Sequence, residues 1–266
     1  MLRLRDGMQS FMRTFTGKAG MATGQHQVQT LSEEKKMKCI LFGGSGDVGG
    51  AVARALIKSD VCSELTMLGR RAVPSMEHEA KVRQVVVDTS SADFEKVVTE
   101  RAQGHDIAIS CIGIGSGTAW MSEEQMLEVE VHMLGKFARG CKAAGIETFE
   151  LLTAVGVTEA SANSRIKGLR VMGKKLQTVL DVGFEKLAVF KPGMILGNSH
   201  TPKWVTVLTS VIPDSFGWGN IHQEEVARAF VAHLQNKVEL QTEPVVSYGN
   251  QEMKILLQEQ GAEKLA

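Results

Sequence analysis

The segment Lys38–Gly50, KCILFGGSGDVGG, limits what this chain can fold into more than any other stretch. Cys39-Ile40-Leu41-Phe42 is a short apolar run of strand type. Gly43, Gly46 and Gly49 follow at intervals of three, and Ala51–Ile57 then reads as a helix. Strand, glycine turn and helix in that order form the setting of a dinucleotide fingerprint. Each glycine has a physical task. The chain reverses tightly at Gly43, a phosphate approaches bare backbone at Gly46, and the helix packs close to the strand at Gly49. The N–H groups that open the helix then face a pyrophosphate. Ser45, Asp47 and Val48, between the glycines, complete the predicted cradle.

A chain of 266 residues that is 43% hydrophobic has material for one α/β domain with a large core. Its formal net charge is zero, so bulk charge attracts it neither to nucleic acid nor to an anionic membrane. The four cysteines, Cys39, Cys62, Cys111 and Cys141, show no C-x-x-C spacing. They read as reduced, small apolar residues of an intracellular protein, and no metal site is expected. No apolar run approaches the ~18 residues of a membrane span, so an integral membrane protein is not expected.

Residues 1 to 36 differ from the rest. Arg3, Arg5, Arg13 and Lys18 are basic, and Asp6 is the only acid before Glu33. Leu4, Met8, Phe11, Met12 and Phe15 fall on one helical face. Such a basic, acid-poor, amphipathic start reads as a mitochondrial transit peptide. A disordered tail, or a helix lying on a cytoplasmic protein, is the alternative.

From Met37 onward, strands alternate with helical stretches. Strands are expected at 64–68, 85–87, 107–112, 149–153 and 187–190, and helices at 123–144 and 169–182. That alternation predicts a doubly wound parallel sheet with helices on both faces and a ligand site beyond the carboxyl ends of the strands. Residues 37–266 form one domain. From about residue 200 the chain is expected to make a small substrate-side lobe, with a helix at 224–234, a short strand at 245–247 and a closing helix.

The end of the second strand chooses the cofactor. NAD is normally held there by an acid that binds the ribose hydroxyls. Here the place reads Leu68-Gly69-Arg70-Arg71. Two guanidiniums and no acid suit the extra 2′-phosphate of NADP, so NADP(H) is expected over NAD(H). A solvated surface pair is the bland alternative. Asp88 and Thr89, after the third strand, are placed to meet the adenine edge, although Asp88 could equally cap the next helix. Cys111, Ile112 and Gly113, after the fourth strand, would bring backbone close to the cofactor.

Taken together these pieces resemble the atypical short-chain dehydrogenase/reductase family, and within it the Tat-interacting-protein (oxidoreductase HTATIP-like) branch, which has fungal mitochondrial relatives. The matching segments are ILFGGSGDVGG (Ile40–Gly50), LTMLGRR (Leu65–Arg71), VVVD (Val85–Asp88), GHDIAISCIG (Gly104–Gly113), FELLTAVG (Phe149–Gly156), VFKPGMILG (Val189–Gly197) and IPDSFG (Ile212–Gly217). The resemblance implies a Rossmann-type sheet, NADPH bound through Gly43, Gly46, Gly49 and Arg70, and a nicotinamide edge near Pro192 and Gly193.

The sequence departs from that family at the chemistry. Short-chain dehydrogenases use a Tyr-x-x-x-Lys pair on one helical face, with the tyrosine exchanging a proton with the substrate oxygen. This chain has one tyrosine, Tyr248, far from that helix in sequence. Counted back from Pro192, the tyrosine and lysine places fall at Gly168 and Met172. Counted forward from the fifth strand, they fall at Asn163 and Lys167. The family's serine place reads Thr153-Ala154. Thr153, Lys167 and His200 are the candidate catalytic residues. Three readings compete: an NADP-binding redox sensor or interaction subunit with a protein partner, a carbonyl or quinone reductase using a different proton donor, and a purely structural partner that has kept the fold and lost the cofactor.

Overall fold

The computed structural model describes residues 36–115, 121–197 and 219–263. β1 (Met37–Phe42) leads through the glycine turn into α1 (Asp47–Lys58), then β2 (Cys62–Gly69), β3 (Val82–Val86), α2 (Phe94–Ala102) and β4 (Ile107–Ser110). A long helical stretch follows in three contiguous parts: α3 (Glu123–Leu127), a π-helical turn (Glu128–Met133) and α4 (Leu134–Ala143). β5 (Thr148–Leu152), α5 (Lys167–Leu180), β6 (Lys186–Phe190) and β7 (Met194–Leu196) come next. β8 (Asn220–His222), α6 (Gln223–Asn236), β9 (Val245–Tyr248) and α7 (Asn250–Glu263) close the described chain.

Seven strands form one sheet in the order β3-β2-β1-β4-β5-β6-β9, and every pairing in it is parallel. β7 and β8 pair separately. From β1 the chain moves outward to β2 and β3, then returns to β4 on the other side. The crevice at that reversal is where a doubly wound sheet takes its ligand.

β1 shows why its residues make a central strand. Cys39, Ile40 and Leu41 are wholly buried, because parallel strands are covered on both faces. Successive side chains point to opposite faces. Cys39 and Leu41 join a core layer with Val52 and Leu56 of α1 and Val226 and Phe230 of α6. Ile40 and Phe42 join the opposite layer with Phe94, Phe137 and Phe149. Phe42 sits 5.0 Å from the Phe137 ring and 5.6 Å from Phe94, so α2 and α4 lock onto the sheet beside the glycine turn.

Most element ends shift by one to three residues from the sequence reading, and two differences bear on the site and the sheet. The third strand runs Val82–Val86 because these residues pair with Leu65–Gly69 of β2, which leaves Asp88 beyond the strand end. The short strand expected in a C-terminal lobe is β9. It pairs with β6 as an edge strand of the main sheet, where the Tyr248 ring stacks on Phe190 at 5.3 Å.

One polar pair lies inside the core. Glu150 faces α6 from the middle of β5, and His233 Nδ1 is 2.7 Å from its Oε1, with both side chains fully buried. Burial pushes the Glu150 carboxyl above the usual carboxylate range, and the His233 hydrogen bond opposes that shift. The folded chain therefore holds this proton more tightly than the unfolded chain. The stability this provides is complete below the ordinary carboxylate pKa and is lost as pH rises through the raised folded value. Urea melts from about pH 4 upward should show wild type losing ground to Glu150→Gln as pH increases. A constant difference between the two proteins across pH would contradict this assignment.

Candidate dinucleotide site

The glycine turn takes the expected form. Gly43 has φ +95°, and a Cβ there would lie 2.7 Å from the backbone of Cys111 and Ile112, at the exit of β4. A Cβ on Gly49 would lie 2.1 Å from the Gly43 carbonyl oxygen, so α1 is pressed against the turn it leaves. Gly46 differs. Its added Cβ would meet only the Gly43 carbonyl, at 3.4 Å, so the absent side chain leaves room for a ligand. No side chain caps the helix that starts after Gly46, and a phosphate suits such an end.

A cleft of about 190 Å³ opens at the carboxyl ends of β1, β2 and β4. Gly43, Ser45 and Gly46 form one wall, and Gly69, Arg70 and Arg71 form the rim at the end of β2. Arg70 and Arg71 are exposed and form no ion pair among the described residues. Thr89 lines the same cleft. It is buried, and its hydroxyl has no partner among the described residues. Cys111, Ile112 and Gly113 make the floor, so nine of the predicted cofactor residues meet at one cleft.

The remaining predicted residues fall elsewhere. Asp47, Val48 and Gly49 stand in the first turn of α1, behind the cleft wall. Asp88 is exposed and folds back onto its own loop. Its Oδ1 accepts from the Ser90 hydroxyl at 2.6 Å and from the Ser90 amide at 2.9 Å, which together hold its carboxyl below the usual range. Pro192 and Gly193 follow β6. The Pro192 carbonyl accepts from the Val155 amide at 2.9 Å, and the Gly193 amide donates to Asn250 Oδ1 at 3.0 Å. Thr153 follows β5 with its amide on the Phe190 carbonyl, and its buried hydroxyl has no partner among the described residues. Lys167, at the start of α5, donates to the Met121 carbonyl at 2.8 Å. His200 and the IPDSFG segment lie outside the described residues.

Several residues of the cleft carry no readable sequence signal. Val129 and Met133 complete its wall from the π-helical turn. Gln84 fixes the loop after Arg71 by accepting from the Val73 amide at 2.6 Å and donating to the Val73 carbonyl at 3.0 Å. Beneath the floor, Lys175 Nζ donates to the Ile112 carbonyl at 2.7 Å and to Glu130 Oε2 at 2.8 Å. Glu130 Oε1 accepts from the Ile114 amide at 2.9 Å.

The two glycines of α5 differ in their surroundings. A Cβ on Gly173 would lie 2.1 Å from the Ala162 amide, whereas one on Gly168 would meet nothing within 4 Å. The glycine that α5 needs for its packing is therefore Gly173, against the short helix Glu159–Asn163.

No family model matches the chain. It is similar over most of its length to curated proteins. The rat protein HTATIP2 is 29% identical over 237 residues, covering 85% of this chain and 89% of its own. FMP52-1, a mitochondrial protein of the yeast Scheffersomyces stipitis, is 26% identical over 220 residues, covering 80% and 94%. The chain is thus similar over most of its length to HTATIP2 and to the FMP52 proteins, in keeping with the resemblance to the atypical short-chain dehydrogenases/reductases. Its fold matches those of solved NAD-binding proteins. MoeE5, in complex with UDP-glucose and NAD, superposes with a TM-score of 0.60 at 13% identity, covering 84% of this chain and 82% of that one. Among the described residues no helix is long and apolar enough to cross a membrane, and no cluster of His, Cys, Asp or Glu could hold a metal ion.

Proposed function

We propose that the chain binds NADP(H), in preference to NAD(H), across the carboxyl ends of β1, β2 and β4. One observation carries the preference: Arg70 and Arg71 line the same cleft as Gly43 and Gly46, and no acid follows β2. A guanidinium fork suits a 2′-phosphate, while NAD offers it only ribose hydroxyls. The NAD in the MoeE5 complex supports a cofactor of this class. Arg70→Ala and Arg71→Ala should each weaken NADPH binding by about 10- to 100-fold, the range for one hydrogen bond to a charged group, and leave NADH binding unchanged. Equal losses for both nucleotides would contradict the assignment.

The role we propose is that of a redox-sensing or regulatory subunit. The sole tyrosine supports it. Tyr248 sits at the sheet edge against Phe190 and His233, and burial raises its phenol to about 12. Counted back from Pro192, the tyrosine and lysine places hold Gly168 and Met172, and counted forward from β5 they hold Asn163 and Lys167, so neither count supplies a phenol. The second reading is an NADPH-dependent carbonyl or quinone reductase with another proton donor, and the unpartnered Thr153 hydroxyl favours it. Turnover of a carbonyl or quinone by the unmodified chain would select that second reading. We also propose a mitochondrial site of action, supported by the basic N-terminal segment and by the mitochondrial FMP52 relatives. A reporter fused to residues 1–36 that stays in the cytoplasm would contradict it.

A further inference from the structure

We propose that the buried Lys175–Glu130 pair is the positioning device of the cleft, holding the loop after β4 in the shape that receives the dinucleotide. The proposal rests on the dinucleotide reading above. The two side chains are only 2% and 4% exposed. Two charges removed from water need a reason, because well-packed apolar residues of similar size usually serve stability equally well.

Cohesion between helices does not supply that reason. α5 and α4 already share an apolar layer through Leu176, Val179, Leu134 and Phe137. What the pair reaches in addition is backbone. β4 ends at Ser110, and the Cys111 amide makes a last bond across to the Phe42 carbonyl at 2.9 Å. Beyond that point no strand of the sheet bonds the loop among the described residues. Among the described residues, the Ile112 carbonyl is taken by Lys175 and the Ile114 amide by Glu130. These two groups flank Gly113, and Cys111, Ile112 and Gly113 form the cleft floor.

The π-helical turn fits the same role. Its wider winding sends Glu130 inward to the loop while Val129 and Met133 line the cleft, so one turn builds both the wall and the clamp. Lys175 stands three residues after Met172, one turn along α5 from the lysine place of the family. A lysine at that place would meet the cofactor. Lys175 is 1% exposed and lies beneath the floor, so it acts through the Ile112 carbonyl.

The test uses the full chain, with thermal midpoint and NADPH affinity measured together. Lys175→Met leaves Glu130 buried and unpaired, so both quantities should fall. The double variant Lys175→Met/Glu130→Met removes both charges. Its midpoint should recover toward wild type, while NADPH affinity stays lower by about tenfold or more, because the loop backbone remains unheld. Recovery of both quantities would overturn the proposal and leave the pair a merely structural one. Amide exchange in the wild type decides the matter should the double variant not fold. The Ile114 amide should be protected without nucleotide, and exchange as fast as at Gly115 would overturn the proposal. Wild type that binds neither NADPH nor NADH would instead remove the dinucleotide reading itself.

Discussion

Gly49→Ala should abolish nucleotide binding and destabilise the fold by about 3 kcal/mol, the upper end for overpacking. One methyl group has this effect because its two nearest contacts are backbone atoms of the turn. Its carbon would lie 2.1 Å from the Gly43 oxygen, 2.7 Å from the Gly43 carbonyl carbon and 3.2 Å from the Cys111 Cβ. Gly43 cannot retreat. It is held at φ +95° with the Cys111–Ile112 backbone directly behind it. The strain must therefore push α1 off the turn, and the phosphate cradle moves with it. Gly50→Ala is the matched control, one residue further along the same helix. Its nearest neighbours would be the Arg54 guanidinium and the Gly44 carbonyl oxygen, both at 3.5 Å. There the helix propensity of alanine should add about 1 kcal/mol. Urea melts of the two variants that coincide would refute this account of the turn.

Gly168→Tyr combined with Met172→Lys should raise NADPH-dependent reduction of a quinone or aldehyde panel by about 10²- to 10⁴-fold, the usual contribution of a positioned proton donor. The cleft and the floor loop are already in place. The position is also sterically available, because a side chain on Gly168 would begin in open space. Tyrosine and lysine four apart on α5 share one face, so the lysine can lower the phenol's pKa toward the working range. The same pair placed by the other count, as Asn163→Tyr with the native Lys167, should give no gain. Asn163 ends a separate short helix, and Lys167 is engaged with the Met121 carbonyl. Equal activity from both designs would contradict the register.

Much of the sheet could be read from the chain because its strands are buried on both faces. Cys39–Phe42, Leu187–Phe190 and Phe149–Leu152 appear as nearly unbroken apolar runs for that reason. β3 was harder to place. It is an edge strand, and its alternating half-buried and exposed residues leave its register to β2. β9 looked like part of a separate lobe because nothing local says which sheet a four-residue strand will join. In the site, the glycine turn was legible because Gly43 and Gly49 sit where a Cβ would strike backbone. The clamp was not. Lys175 and Glu130 stand 45 residues apart, and in sequence each looks like a solvated helix charge. The π-helical turn was likewise hidden, because its residues keep the composition of an ordinary helix.

The most direct test of the central claim is titration of the purified full chain with NADPH and with NADH, followed by nucleotide fluorescence. Gly46→Arg serves as the control, since its side chain would enter the cleft without striking the turn. The account predicts saturable NADPH binding, NADH weaker by about tenfold or more for want of the 2′-phosphate, and no binding of either by the folded Gly46→Arg protein. Equal affinity for the two nucleotides, or wild-type binding retained in Gly46→Arg, would contradict it.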